Sequence, residues 1–261
     1  MNRDLEALLD VAVDLAHQAG RLQLERRAAL VVQGAKAHAN DLVSDVDLVS
    51  ERLLVDGVLR RCPDDGVLGE EGATQAGTSG WTWVIDPLDG TRNYISGTGP
   101  WSISIALREG NDSRLAVVHD PVAGETFTAV AEQAPRLNGK GITAQRAVRL
   151  TEALAGICYD TSLATKQRIG PVFAALLPQV GDLRRLPAAL QLAYLAAGRL
   201  DVGVVFGTRL WDVAAGLFLA SQAGLVLTGP EGEATPQLAV CAIPQLWEDF
   251  AALLASTDLL H

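Results

Sequence analysis

Two carboxylates three residues apart open the chemistry of this chain. Asp86 and Asp89 flank Pro87 in the run Trp83-Val84-Ile85-Asp86-Pro87-Leu88-Asp89-Gly90-Thr91. The apolar and aromatic residues from Trp81 to Ile85 predict a buried strand, so both acids fall at its end. Pro87 stiffens the backbone between them and is expected to end the ladder. Gly90 permits a tight approach of main chain to a ligand. Such a strand end could hold hard cations and a phosphate together. An ordinary acidic turn has the same local composition, because Asp-Pro and Asp-Gly are common turn signals. Further acids supplied from elsewhere would separate the two readings.

Two more candidates exist. Glu70 follows the short apolar stretch Val67-Leu68-Gly69, and Asp212 follows Trp211 at the start of a predicted helix. Carboxylates gathered in one cleft repel one another, and bound divalent cations would remove that cost and lower their pKa values. No Cys/His set accompanies them, so oxygen-preferring Mg2+ is favoured over structural zinc. A pair of such ions, roughly 4 Å apart, can activate water and stabilise charge on a transferring phosphoryl group.

The elements that must position these acids are legible in outline. Residues 4–30 predict one long amphipathic helix with Gly20 inside it or at a bend, and 31–36 a short strand or extended exit. Asp45 and Asp47 open a second helix, about 46–61, where capping alone could explain them. Residues 73–80 read as a loose loop. From Ser102 to Val130 the pattern becomes an antiparallel meander, with a further turn at Leu137-Asn138-Gly139-Lys140. Residues 154–158, 202–206, 225–227 and 239–242 predict strands. Helices are expected at 169–177, 188–197, 211–223 and after Pro244, with Trp247 packing inward. The fold class is α/β (α+β), a layered sandwich. It divides into residues 1–147, carrying most ligands, and 148–261, supplying Asp212 and the substrate-side wall.

Composition bounds the partners. The 261 residues are 49% apolar, enough for a sizeable core, and 31 acids against 21 bases give a formal charge of -10. That balance argues against a nucleic-acid polymer as partner but not against an anionic small molecule at a cation site. Cys62, Cys158 and Cys241 fit no zinc or redox spacing and read as free thiols in a reducing cytosol. Asp4, Glu6 and Asp10 are wrong for a secretion signal, and no apolar stretch is long enough to span a bilayer. A soluble cytoplasmic protein without membrane attachment is expected.

Taken jointly, these segments carry a resemblance. The chain resembles the inositol monophosphatase family of Mg2+-dependent, lithium-sensitive phosphatases. The first family signature corresponds to residues 83–94 and the second to Trp211-Asp212-Val213-Ala214-Ala215-Gly216. Gly69-Glu70-Glu71, the acidic loop 41–47, Val118-His119-Asp120-Pro121, Glu125 and Leu137-Asn138-Gly139 also match, so the resemblance spans nearly the whole chain. It implies alternating layers of helices and sheets with the cleft between two halves. It implies that Glu70, Asp86 and the Leu88 carbonyl hold one Mg2+ and that Asp86, Asp89 and Asp212 hold a second, with Glu70 near a third. Asp47 and Thr91, with Glu70, would serve catalysis by orienting a water that attacks phosphorus in line. Backbone at Gly90 and Thr91 would receive phosphate, with Lys36, position 205 and Asp212 on the substrate side. A homodimer and a small phosphorylated metabolite are implied as well.

Two departures bear on the substrate. Inositol-specific members usually place an acid seven residues before the second-signature Asp, to contact sugar hydroxyls, and here that position is Val205. A Gly-Ser or Gly-Thr pair is usual before the helix at 188, and here Leu186-Pro187 stands in its place. Inositol 1-phosphate or a related sugar or cyclitol phosphate is the first expectation. The run Arg92-Asn93-Tyr94-Ile95-Ser96-Gly97 also resembles histidinol-phosphate phosphatases, the chief alternative. A specialised biosynthetic phosphatase, a nucleotide 3'-phosphatase, a fructose-bisphosphatase and a non-enzymatic phospholigand-binding homologue complete the alternatives. His38 and His119 read as surface or turn residues, and Trp211 as a packing residue that positions Asp212.

Overall fold

A computed structural model of the chain describes residues 3–29, 32–35, 42–144, 149–257 and 259. The first half runs α1 (Leu5–Arg26), β1 (Val32–Ala35), β2 (Leu42–Ser44), α2 (Asp45–Arg61), β3 (Gly66–Gly69), β4 (Thr74–Gln75), β5 (Trp81–Asp89) and α3 (Thr91–Ser96). It continues through β6 (Ser102–Glu109), β7 (Asp112–Asp120), β8 (Glu125–Val130), β9 (Arg136–Leu137) and β10 (Lys140–Gly141). The second half runs β11 (Leu154–Tyr159), α4 (Leu163–Leu176), β12 (Asp182–Arg184), α5 (Ala188–Ala196), β13 (Val202–Phe206), α6 (Leu210–Gln222), β14 (Val226–Thr228), β15 (Leu238–Ala242) and α7 (Trp247–Ala255).

Strands pair into an eight-stranded sheet of order β10-β9-β8-β7-β6-β5-β3-β4 and a five-stranded sheet of order β12-β11-β13-β15-β14. Within the first, only β3 and β5 are parallel. In the second, β11 is parallel to both β12 and β13.

Side-chain alternation explains the layering. Trp83, Ile85, Ile103, Ile105 and Leu107 bury against Leu8, Leu15 and Leu54 of α1 and α2 on one face of the large sheet. Val84, Ala106, Ala116, Val118 and Phe127 point to the other face and meet α5 and α6. The opposite side of those two helices packs on the small sheet, through Leu192, Leu195, Val213 and Ala220. Ile169, Val172, Phe250 and Leu254 bring α4 and α7 into the same core, completing a helix–sheet–helix–sheet–helix stack. A helix between two sheets must be apolar all round and slim, which accounts for Ala-Ala-Leu-Gln-Leu-Ala-Tyr-Leu-Ala in α5.

Several sequence expectations need correction. Pro87 does not end β5, which continues to Asp89 through a bulge, because Asp86 pairs with Ser104 and Asp89 with Ser102. One extra residue on β5 absorbs the missing amide of Pro87 without ending the strand. His119 is no surface or turn residue: it lies on β7, 7% exposed, edge-on to His17 with ring centroids 4.7 Å apart. Its alternation with Val117 and Leu115 turns it to the α1 side. Helix α4 begins six residues before the expected Ile169, because Ser162 caps it by accepting from Thr165 N. Thr74 and Gln75 form a short strand within the expected loop, and β12 was not foreseen. The turn at Asn138-Gly139 is as expected, with φ of 48° and 79° between β9 and β10. All three cysteines are unpaired. The expected division at 147/148 falls among residues outside those described. Among the described residues, no helix is long and apolar enough to cross a membrane.

Candidate active site

The parallel pair β3–β5 delivers two strand ends to one place. Gly69 is in register with Ile85, and Glu70 N donates to the Ile85 carbonyl at 3.2 Å. Glu70, the first residue past β3, therefore lies beside Asp86, which stays within β5 at its bulge. Asp212 arrives from the first turn of α6, whose start is tied to the sheet by Ser104 Oγ donating to the Trp211 carbonyl at 3.2 Å. One carboxylate oxygen from each of Glu70, Asp86 and Asp212 lies within 4.8 Å of the others.

Backbone donors fix these acids. Asp86 Oδ1 accepts from Leu88 N at 2.9 Å across the bulge, and Asp212 Oδ2 accepts from Arg209 N at 2.7 Å. Asp89 stands beside the trio rather than in it. Its Oδ2 accepts from Ala189 N at 2.8 Å and lies 3.4 Å from Ser102 Oγ. Pro187 holds the N-cap position of α5 and offers no capping side chain. Asp89, reaching from the other half, satisfies that helix end instead.

Electrostatics match a cation site. Burial pushes the Asp86 carboxyl well above the usual range, helped by the charges of Glu70, Asp89 and Asp212. Burial likewise raises Asp89 to about 7, opposed by the Ala189 amide, and raises Asp212 together with Glu70 and Asp89. Acids that resist ionising together are stabilised by added positive charge. An all-oxygen donor set of this kind can hold a divalent cation and suits Mg2+ rather than a soft metal.

Asp47 and Thr91 form a second pair. Asp47 is fully buried at the start of α2, where Oδ2 accepts from Ser44 N at 2.8 Å and from Ser44 Oγ. Thr91 Oγ1 lies 2.9 Å from Asp47 Oδ1 and 3.1 Å from the Leu88 carbonyl. Both partners are acceptors, so the hydroxyl proton points inward and the lone pairs are left for a donor. Gly90, with φ of 100°, lets α3 start immediately after Asp89.

The acids border a cavity of about 590 Å3, lined by Glu70, Asp89, Gly90, Arg92, Asp212 and the ends of β11 and β13. Leu186 and Pro187 line it too, and Pro187 abuts Gly90. Val205 does not. It is wholly buried in the core of the small sheet, in register with Cys158 and Ala239, so the substrate-side expectation at 205 is corrected. With helices covering both faces of that sheet, alternation exposes neither Val204 nor Val205. Lys36 and His38 lie outside the described residues. Trp211 is half-buried at the cavity edge.

Three positioning residues escaped the sequence reading. Gln23 of α1 is fully buried; its Nε2 donates to the Pro87 carbonyl at 2.7 Å, and its Oε1 accepts from Trp101 Nε1 at 2.9 Å. It pins the bulge from behind. Glu51 of α2 accepts from Glu71 N at 2.7 Å and Ala73 N at 3.0 Å, which shapes the turn that aims Glu70. Ser102 faces Asp89 across the ladder. A glutamine on an otherwise apolar helix face was the signal available for Gln23.

Fold and site together define a layered α/β protein with an acidic cluster, able to hold a divalent cation, where its two larger sheets approach one another. The profile of the Inositol monophosphatase family matches residues 4–259, and the chain belongs to that family. Nus factor SuhB of Xylella fastidiosa is 37% identical over 240 residues, covering 88% of this chain and 84% of that protein. The extragenic suppressor protein suhB of Bartonella henselae superposes with a TM-score of 0.89 at 27% identity, covering 95% of this chain and 98% of the other. The Thermotoga maritima IMPase gives 0.88 at 27% identity, covering 96% and 98%.

Proposed function

We propose that this protein hydrolyses a small phosphomonoester with the help of two or three Mg2+ ions. The first candidate is inositol 1-phosphate or a related cyclitol or sugar phosphate. Histidinol phosphate is the chief alternative. The observation that carries the reading is the convergence of Glu70, Asp86 and Asp212 at one end of the sheet seam, beside the Asp47–Thr91 pair.

Glu70, Asp86, Asp89, Asp212 and the Leu88 carbonyl would hold the ions. When bound, Mg2+ supplies charge that offsets the carboxylates, favours an anionic substrate and lowers the pKa of nearby water. The chain's own groups do the rest. Thr91 Oγ1, its proton directed inward, accepts a hydrogen bond from water. As that water gives up its proton to Thr91 Oγ1, the hydroxyl proton passes to Asp47 Oδ1, 2.9 Å away. Ser44 holds the Asp47 carboxylate in the required orientation. Backbone at Gly90 and Thr91 would meet the phosphate, and Asp212, which lines the cavity, would also face the substrate. A homodimer and a cytoplasmic location complete the proposal, with exposed Leu163 and Leu177 offering apolar surface for a second copy.

One observation favours a second reading. Relatives at 35–37% identity carry the name Nus factor, which supports a binding role beside or in place of hydrolysis. Phosphate release with Mg2+ from inositol, histidinol, sugar and nucleotide monophosphates separates the two. Release from at least one compound supports the enzyme. A folded protein that takes up Mg2+ and releases phosphate from none supports binding alone.

A further inference from the structure

On the phosphatase reading above, we infer that Gln23 is a positioning residue for both parts of the site. Its side chain and its main-chain carbonyl tie the bulge beside Asp86 to the helices that carry Asp47 and Thr91. Mg2+ affinity and kcat then both depend on a residue of α1 that does not line the cavity.

A small apolar cluster underlies the site, separate from the three larger cores. Val46, Leu88, Tyr94 and Trp101 are fully buried against one another, with Leu22 of α1 packed on them. Tyr94 and Trp101 meet edge-on, with ring centroids 4.9 Å apart. Each member adjoins a group of the site. Val46 precedes Asp47, and Leu88 precedes Asp89. Tyr94 is one turn beyond Thr91 on α3, and Trp101 precedes Ser102, which faces Asp89. Apolar burial is non-directional, so this cluster alone does not fix the tilt or register of the elements that meet in it. Hydrogen bonds, which have preferred directions, can.

Gln23 supplies those bonds. Besides the Pro87 carbonyl, its Nε2 donates to Ser50 Oγ at 3.3 Å, one turn past Asp47 on α2. Its Oε1 accepts from Trp101 Nε1, and its main-chain carbonyl, in the last turn of α1, accepts from Tyr94 OH at 2.7 Å. The bulge of β5, α2, α3 and the entry to β6 are thus bonded to one residue. A carbonyl only accepts and an indole N–H only donates, so the amide is oriented at both ends. An apolar side chain of the same length removes both of those bonds inside a dry cluster, where unpaired polar groups are costly. Pro87 lies between Asp86 and Leu88, so a shift of its carbonyl moves both groups proposed to hold Mg2+. Ser50 and Tyr94 pass the same shift to Asp47 and Thr91, whose bond of 2.9 Å orients the attacking water in the proposed reaction.

The test compares wild type with Gln23→Met, which keeps the length of the side chain and removes its amide. Mg2+ affinity, read by titration calorimetry, should weaken about 10-fold, the scale of losing a group that orients a metal ligand. At saturating Mg2+, kcat for inositol 1-phosphate should fall about 10- to 100-fold with KM little changed, because reacting groups are displaced while substrate contacts remain. Trp101→Phe keeps a ring and removes one of the bonds, so it should show the same two losses at smaller size. Ser79→Ala is the structural control: it removes a 2.7 Å bond to Asp65 near the start of β5, at the far end from the bulge. It should lower the urea midpoint and leave Mg2+ affinity and kcat at wild-type values. The control's pattern in Gln23→Met, or in Trp101→Phe should Gln23→Met not fold, overturns the positioning role. A wild type that takes up Mg2+ and releases phosphate from no compound overturns the phosphatase reading, and the calorimetric comparison then decides the role of Gln23 by itself.

Discussion

Gly90→Ala probes the turn that follows Asp86 and Asp89 and carries the backbone proposed to meet phosphate. Gly90 has φ of 100° and ψ of 33°, and an added Cβ would stand 2.8 Å from Pro187 Cγ and 3.4 Å from both Pro187 Cβ and Trp101 Cα. Two separate costs follow. A side chain held in this sparsely populated backbone region costs roughly 1–3 kcal/mol. Overlap with Pro187 in a packed site costs roughly another 1–3 kcal/mol. The variant should therefore lose about 2–6 kcal/mol in urea denaturation, with a melting temperature lower by roughly 2–4 °C per kcal/mol for a chain of this size. A double-mutant cycle divides the loss. Pro187→Ala removes Cγ while its own φ of -53° suits alanine. In the Gly90→Ala background it should restore the overlap share, about 1–3 kcal/mol, and none of the backbone share. Phosphate release should recover in parallel, because Asp89 and the start of α5 return to register. A Gly90→Ala protein within about 0.5 kcal/mol of wild type, or a coupling of zero with Pro187→Ala, would refute the proposed contact between this turn and the Leu186-Pro187 replacement.

Other outcomes follow from the same structure. Thr91→Val removes the hydroxyl between Asp47 Oδ1 and the Leu88 carbonyl. It should lower kcat by about 10²- to 10⁴-fold with little change in KM or Mg2+ affinity, as steady-state kinetics and titration calorimetry would show. His119 is pushed down to about 4 by burial, with the charges of His17 and Arg21 adding to the effect against the Glu125 carbonyl. Because its folded pKa lies below its usual value near 6.5, the unfolded chain binds more protons between the two. Stability from this group is full above that value, falls as pH drops through the window and is lost by about pH 4, a change of about 3 kcal/mol. His119→Gln should flatten this slope in melts from pH 4 to 7, and an unchanged slope would contradict the burial argument.

The legible part of the site lay in acids whose spacing coincides with strand and helix ends. Glu70, Asp86 and Asp212 could be singled out because each follows an apolar run or opens a helix, where side chains leave the core. The layered fold was legible for the same reason: period-two strands and Ala-rich helices have few ways to pack together. Asp47 was harder to separate from a helix cap: it accepts from Ser44 as a capping residue does, and it also accepts from Thr91 Oγ1. What escaped depended on tertiary neighbours. Pro87 ends a regular ladder but is tolerated in a bulge that Gln23 holds from another element. Val205 looked like a pocket position because spacing locates a residue along the strand, not its depth in a sheet covered on both faces.

The most direct measurement of the central claim is phosphate release from inositol 1-phosphate by wild type and Asp86→Asn, each with Mg2+ and with the metal chelated. Asp86 is the acid common to both implied Mg2+ sites, and it is held by Leu88 N at 2.9 Å, a bond that an asparagine oxygen can keep. Turnover should appear only in the wild type with Mg2+, while Asp86→Asn remains folded and loses at least about 10³-fold in rate, the scale of removing charge stabilisation at a reacting centre. Turnover that survives chelation, or that persists near the wild-type rate in Asp86→Asn, would contradict the metal-centred site.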